Sequence, residues 1–291
     1  MDCRMPHLLR NLLNRESAYM RDMDPAEIRR RWRPEGYRPA DGSDWDGRVP
    51  MFDGPVPGED DPFVSLVLRE GRPDPMFTDV LDIGCGTGIY SLALSGKVRS
   101  VTGVDISPAM IGAAVRKAES LGIGNAEFRT VDWSSADTRR MGKYGITIAH
   151  MTPAICSAET FAKMLAVSRG TCFLAGYVSR ENPIWDGIYR IVGKDGSATE
   201  PDKLLYAQDT LWKMGLRPRI EYIREHRSRR LSPEQAYAVY LEGTRGFTDL
   251  GKTQEDEIRK YLDGIAEDGY VRDSSDPLIG VLYWDMSGED D

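Results

Sequence analysis

The chain has 291 residues, enough to bury the core of one large α/β domain with additions, and its formal net charge of −8 opposes long-range steering toward a phosphate backbone. No apolar run approaches bilayer-spanning length, and Met1-Asp2-Cys3-Arg4 lacks the apolar core of a signal peptide, so the expected compartment is the cytoplasm. Cys3, Cys85, Cys156 and Cys172 form no C-x-x-C pair, which argues against a zinc site or a disulfide framework.

In chain order, the spacing predicts helices over Leu8–Arg21 and Pro25–Trp32, the second opened by Asp24-Pro25 and carrying the basic cluster Arg29 to Arg33 on a solvated face. A loop rich in Gly, Pro and Asp follows from Pro34 to Asp61. Its Trp45-Asp46-Gly47-Arg48 is read as folding over a ligand pocket, with a surface tether as the alternative. From Asp61 helix and strand alternate, which predicts a doubly wound parallel sheet.

The first strand, Val80-Leu81-Asp82-Ile83, runs straight into Gly84-Cys85-Gly86-Thr87-Gly88 and then a helix. Glycines let another group approach the main chain closely, and the helix end points unpaired N–H groups at whatever sits above the turn. A dinucleotide site would read G-x-G-x-x-G with pyrophosphate on the helix end. G-x-G-x-G preceded by Asp82 repels a diphosphate and attracts a cation instead.

Three strand ends extend this reading. Val101–Asp105 closes on an acid at the spacing where such folds bind a ribose. Ala126–Trp133 ends in Asp132-Trp133, an acceptor for an exocyclic amine beside an aromatic able to cover a purine. Tyr144–His150 is a fourth strand opening on the same crevice. Together they describe an adenosine site. Each acid alone could equally cap a helix, Asp105 through Ser107-Pro108 and Asp132 through Ser134-Ser135.

From Asp61 to Tyr177 the chain resembles the class I S-adenosylmethionine-dependent methyltransferases. The resemblance implies a Rossmann-like, mostly parallel seven-stranded sheet with helices on both faces and an antiparallel last strand. It implies S-adenosylmethionine as cofactor, its methionine moiety held by Asp82, Gly84, Cys85, Gly86 and Gly88, its ribose by Asp105 beside Ile106, and its adenine amine by Asp132 with Trp133. Met110 and His150 complete the expected cofactor lining. The DNA amino-methylating members carry Asn or Asp before Pro-Pro-aromatic after the fourth strand. His150-Met151-Thr152-Pro153 departs from that pattern.

The remaining elements are read as a helix over Ala158–Ser168, a fifth strand Thr171–Tyr177, a short helix with Ile184, Trp185, Ile188 and Tyr189, and a helix Lys203–Met214 stopping at Gly215. A sixth strand is expected over Arg217–Ser228, helices over Pro233–Leu241 and Gln254–Ala266, and a seventh strand over Leu278–Asp285. The expected organisation is a helical extension with a lid loop over 1–60 and the cofactor-binding domain over 61–291, with insertions around 183–215 and 232–268.

Methyl transfer from a sulfonium needs alignment and exclusion of water above all. Where the acceptor carries a proton, His150 is the first candidate base and Tyr177 the second, with a pocket-shaping His150 as the alternative. Trp45, Tyr177, Trp185 and Tyr189 are the candidate substrate lining. No metal is expected, since Glu181 and Asp186 are too loosely placed for one. The function expected is methylation of a small-molecule nucleophile. The alternatives are an RNA or protein methyltransferase, which would need the clusters Arg29 to Arg33 and Arg224 to Arg230 around the pocket mouth, or a cofactor-binding protein without transfer activity.

Overall fold

The computed structural model describes Trp32 and residues 41–179, 182–194, 202–245 and 248–287. The helices expected over Leu8–Arg21 and Pro25–Trp32, apart from Trp32 itself, lie outside the described residues, as do most of the first arginine cluster and Glu181.

The elements run α1 (Gly42–Asp46), α2 (Val49–Phe52), α3 (Pro62–Gly71), β1 (Asp79–Ile83), α4 (Ile89–Ser95), β2 (Ser100–Asp105), α5 (Pro108–Ser120), β3 (Ala126–Thr130) and β4 (Tyr144–His150). There follow α6 (Ala158–Val167), β5 (Ser168–Ser179), α7 (Pro183–Ile191), α8 (Asp202–Lys213), β6 (Arg219–Arg224), β7 (Arg227–Leu231), α9 (Pro233–Arg245), α10 (Lys252–Gly264), β8 (Val271–Ser275) and β9 (Leu278–Asp285). The main sheet has the order β3-β2-β1-β4-β5-β9-β6. Its first five strands are parallel, and β9 runs antiparallel between β5 and β6.

Strands covered on both faces are buried along most of their length, and β1 and β4 are, with Asp82 the buried charged residue of β1. On one face, Phe63 and Leu66 of α3 and Leu94 of α4 pack on Val80, Val101 and Ile148. On the other, Phe161 and Met164 of α6 and Leu204 and Leu211 of α8 pack on Leu81, Ile83, Cys172 and Trp284. Trp32 joins this second layer, its ring 5.2 Å from Phe161 and 5.8 Å from Tyr206.

Two sequence expectations need correction. The stretch expected as one sixth strand, Arg217–Ser228, divides into β6 on the main sheet and β7 in a separate ribbon with β8. Its partner β9 begins at Leu278 opposite Arg224, so the sheet offers no further edge. The chain turns there, with Glu225 N–H donating to Pro277 O and His226 2.6 Å from Asp276. The loop expected from Pro34 to Asp61 contains α1 and α2; Asp41 caps α1 by accepting from the backbone of Ser43 and Asp44, and the Asp44 carboxylate accepts in return from Asp41 N–H.

A third apolar cluster lies apart from the sheet layers. Ile188 of α7, Tyr240 and Leu241 of α9, Ile258 and Leu262 of α10, and Leu231 and Val271 of the ribbon gather around it. Buried Asp273 fastens it, accepting from Asn182 Nδ2 at 3.0 Å and Arg229 Nε at 2.7 Å, while Asn182 also caps α7.

Phe161 is 1% exposed and touches Trp32 and Trp284 at once. Phe161→Ala is expected to cost about 3–5 kcal/mol, read as a lower urea midpoint at unchanged m-value.

Candidate active site

The crevice lies at the carboxyl ends of β1, β2 and β4, where the strand order reverses. The loop after β1 is held by its own backbone. Gly84 N–H and Cys85 N–H both donate to Val104 O, at 2.7 and 3.0 Å. Gly86 N–H donates to Asp105 Oδ2 at 2.9 Å, and Asp105 Oδ1 accepts from Ser107 N–H at 2.9 Å. The Asp105 carboxylate thus ties the loop to the start of α5.

Gly84, Gly86 and Gly88 all have positive φ, at 69°, 53° and 75°. Their surroundings differ. A Cβ on Gly84 would lie 1.9 Å from Thr152 Oγ1, and one on Gly88 within 2.9 Å of Phe128 and Ala114, whereas one on Gly86 would meet nothing within 4 Å. The outer two glycines permit close packing of protein on protein. Gly86 faces open space, as a cradle for a ligand requires.

Asp82 is 2% exposed and accepts from Ser91 Oγ at 2.6 Å. Burial pushes its carboxyl up to about 7, the charge of Asp105 adding to the effect and the Ser91 hydroxyl opposing it. Burial likewise raises Asp105, and the Cys85 thiol still more. Ile106 is half-buried beside Asp105. Asp132 is exposed and accepts from the backbone N–H and hydroxyl of Ser134.

The expected aromatic over a purine is corrected. Trp133 is 3% exposed, packed among Leu165, Phe161 and Ile155, with Nε1 donating to Thr160 O at 2.9 Å. A ring meant to cover a ligand would show an open face, and Trp133 shows none. Met110, also 3% exposed, turns inward in the same way from the first turn of α5, and the Cys85 side chain lies against Gly103 rather than toward the crevice.

His150 ends β4 with its ring centroid 4.3 Å from both Phe63 and Tyr90, which are themselves 5.1 Å apart. Directly after it Met151 takes φ 51°, a left-handed turn uncommon outside glycine, and brings Thr152 beneath Gly84. The Thr152 carbonyl accepts from buried Lys203 Nζ at 3.1 Å. Phe63 and Lys203 carry no signal in the sequence; Thr152 lies in the segment expected to face the crevice and Tyr90 two residues after Gly88, though neither is assigned a role there.

The four aromatics expected to line a substrate pocket are dispersed. Trp185 lies 5.9 Å from Tyr189 and 5.0 Å from Tyr240 within the third cluster, Tyr177 packs on the α3 side of the sheet, and Trp45 pairs with Phe52 at 5.9 Å. Trp45 belongs to a segment that does adjoin the loop. Asp46 Oδ1 accepts from Ser107 Oγ at 2.5 Å and Ala109 N–H at 3.2 Å, Thr87 Oγ1 donates to Phe52 O, and Lys117 Nζ donates to Gly54 O. Gly42 sits against Ile106 O, where a Cβ would approach to 2.8 Å.

A model of the methyltransferase domain matches residues 80–169, which hold the glycine loop, all three acids and β1 through α6. Over these residues the chain carries a methyltransferase domain of the S-adenosylmethionine-dependent family. The cofactor of that family is S-adenosylmethionine, and the open cradle at Gly86 beside two carboxylates fits it. Among curated proteins, this methyltransferase is similar to the 23S rRNA (uracil-C5)-methyltransferase RlmD of Methylococcus capsulatus, with 39% identity over 75 residues, 26% of this chain and 17% of that one. It therefore spans about a sixth of the length of the curated relatives it matches. Among solved structures, the YcgJ protein of Bacillus subtilis shares 19% identity at a TM-score of 0.51, covering 78% of this chain and 98% of that one, a likeness of fold. A methyltransferase from Geobacter sulfurreducens, crystallised with S-adenosylhomocysteine, aligns at a TM-score of 0.47 and 16% identity over 82% of this chain and 96% of that one. No helix among the described residues is long and apolar enough to cross a membrane.

Because Asp82 titrates higher in the folded chain, at about 7, than the ordinary carboxyl value of about 3.9, folding takes up a proton between these values. The contribution of Asp82 to stability is then greatest below about pH 4 and is lost as pH rises toward about 7. Asp82→Asn should flatten that decline, measured as unfolding free energy from denaturant titrations across the window.

Proposed function

We propose that the chain transfers a methyl group from S-adenosylmethionine to a small-molecule nucleophile. The observation that carries this reading is the run of Asp82, Asp105 and Asp132 at the ends of successive strands around a loop whose middle glycine faces open space. In this reading the loop backbone and Asp82 receive the methionine end, Asp105 with Ile106 the ribose hydroxyls, and Asp132 the adenine amine. The Asp105 oxygens accept from Gly86 N–H and Ser107 N–H, and a carboxylate with about four acceptor sites has room for a hydroxyl beside them.

The bound cofactor supplies an electrophilic methyl on a positively charged sulfur. The protein's share is to hold the acceptor in line and keep water out. His150, its ring packed against both Phe63 and Tyr90, is proposed to take the acceptor's proton where one must leave. The buried, mutually repelling Asp82 and Asp105 favour a cationic ligand, since a positive charge relieves both.

A small acceptor is favoured over a nucleic acid by the net charge of −8. The match to an rRNA methyltransferase over 75 residues motivates the second reading, an RNA acceptor. Salt-sensitive binding of RNA would support it.

Isothermal titration with S-adenosylmethionine, S-adenosylhomocysteine and NAD tests the cofactor assignment, with micromolar binding of the first two and none of NAD expected. Asp105→Ala should weaken both by about 1.5–3 kcal/mol, the range for hydrogen bonds to a charged acceptor. An unchanged dissociation constant would remove Asp105 from the ribose.

A further inference from the structure

Helix α1 and the residues after it face two ways. One side is keyed to Ser107 and Ala109. The other forms a wall of a cleft of about 740 Å³ whose second wall is α9 with Arg259 of α10. That volume falls within the ordinary range for small-molecule sites.

The guanidinium groups in this cleft are not equivalent. Arg245 is engaged with Glu255 at 2.5 Å. Arg48, from the first wall, lies over the Trp45 ring at 4.8 Å, and Arg259, from the second, over the Tyr237 ring at 4.6 Å. Among the described residues no carboxylate forms an ion pair with Arg48 or Arg259. An arginine held over an aromatic ring by a cation–π contact keeps its N–H donors available for a carboxylate or phosphate. Tyr237 is itself fixed, its hydroxyl donating to Asp263.

The acids of the cleft have different employments. Asp44 accepts from Asp41 N–H and Glu234 from Ser232 Oγ, so both are committed to helix starts. Glu242 is exposed at the rim. Three carboxylates among three arginines repel an extended polyanion while leaving the two ring-held arginines free for a single oxyanion.

We infer that this cleft binds a small molecule through a carboxylate or phosphate held between Arg48 and Arg259, and that this oxyanion is the anchoring end of the methyl acceptor. The inference rests on the small-molecule reading above. Because Arg48 and Arg259 come from different walls, the bound anion would also clamp the α1 segment to the helices of the third cluster.

The test uses the full chain saturated with S-adenosylhomocysteine and titrated calorimetrically with inorganic phosphate, glutarate and polyuridylate. Saturable binding of phosphate or glutarate is expected, weakened about tenfold or more in both Arg48→Gln and Arg259→Gln, with S-adenosylhomocysteine affinity unchanged and polyuridylate silent. Preference between phosphate and glutarate distinguishes the two oxyanion sources. Absence of saturable anion binding, or binding indifferent to both substitutions, overturns the inference. Polyuridylate binding lost in the same variants overturns it in favour of a polymer. Failure of wild-type protein to bind S-adenosylhomocysteine strikes the methyltransferase reading instead, and the anion titrations still report on the arginine pair.

Discussion

One carboxylate joins the parts of this site that the sequence keeps far apart. Asp105 receives Gly86 N–H through one oxygen and Ser107 N–H through the other, so the end of β2 fixes both the glycine loop after β1 and the entry to α5. Hydrogen bonds to an ionised acceptor are each worth about 1.5–3 kcal/mol, and here they oppose the burial that raises Asp105, as the Ser91 hydroxyl opposes it at Asp82. The loop is held by bonds within the protein itself. Its cost is concentrated negative charge, which a cationic ligand would relieve.

Labour is divided between the main sheet and what is inserted into it. Parallel strands packed on both faces leave little freedom at their carboxyl ends, which suits a cofactor of fixed shape. The α7, α9 and α10 helices and the β7–β8 ribbon have their own apolar cluster, with Asp273 as its polar fastening. Such a unit can change its outer surface without disturbing the sheet. The Phe63–Tyr90–His150 group belongs to the sheet layer, with one residue from each of α3, α4 and β4.

The parts of the site legible in the sequence are those that local chemistry decides. Glycines at alternate positions after an apolar strand can only form a tight turn, and β9 appears at Leu278–Asp285 as expected because its apolar run is bounded by Pro277. The direction of a side chain is decided by distant partners. Trp133 and Met110 sit at the right places along the chain, yet Trp133 is drawn inward by the Thr160 carbonyl and by Phe161, more than twenty residues on. The division of the expected sixth strand is set by where β9 begins, more than fifty residues later, and no pattern within Arg217–Ser228 announces it. The α1 helix carried a visible sign, Asp41 and Asp44 at capping-box spacing, which a reading of Gly, Pro and Asp as loop formers obscures.

The Asp46–Ser107 hydrogen bond bears on where the functional unit begins. Ser107 is fully buried and already serves as the cap of α5, accepting from Met110 N–H while donating to Asp46. A chain shortened to start at Asp61 would keep every glycine and every acid of the cofactor motif. It would still strip the Ser107 hydroxyl of its acceptor, Thr87 of the Phe52 carbonyl and Lys117 of Gly54, leaving three polar groups around the loop to be satisfied by solvent. The recognisable motif thus stops short of the residues that complete the hydrogen bonds around its loop, since 41–54 lie outside it and still supply three of the acceptors.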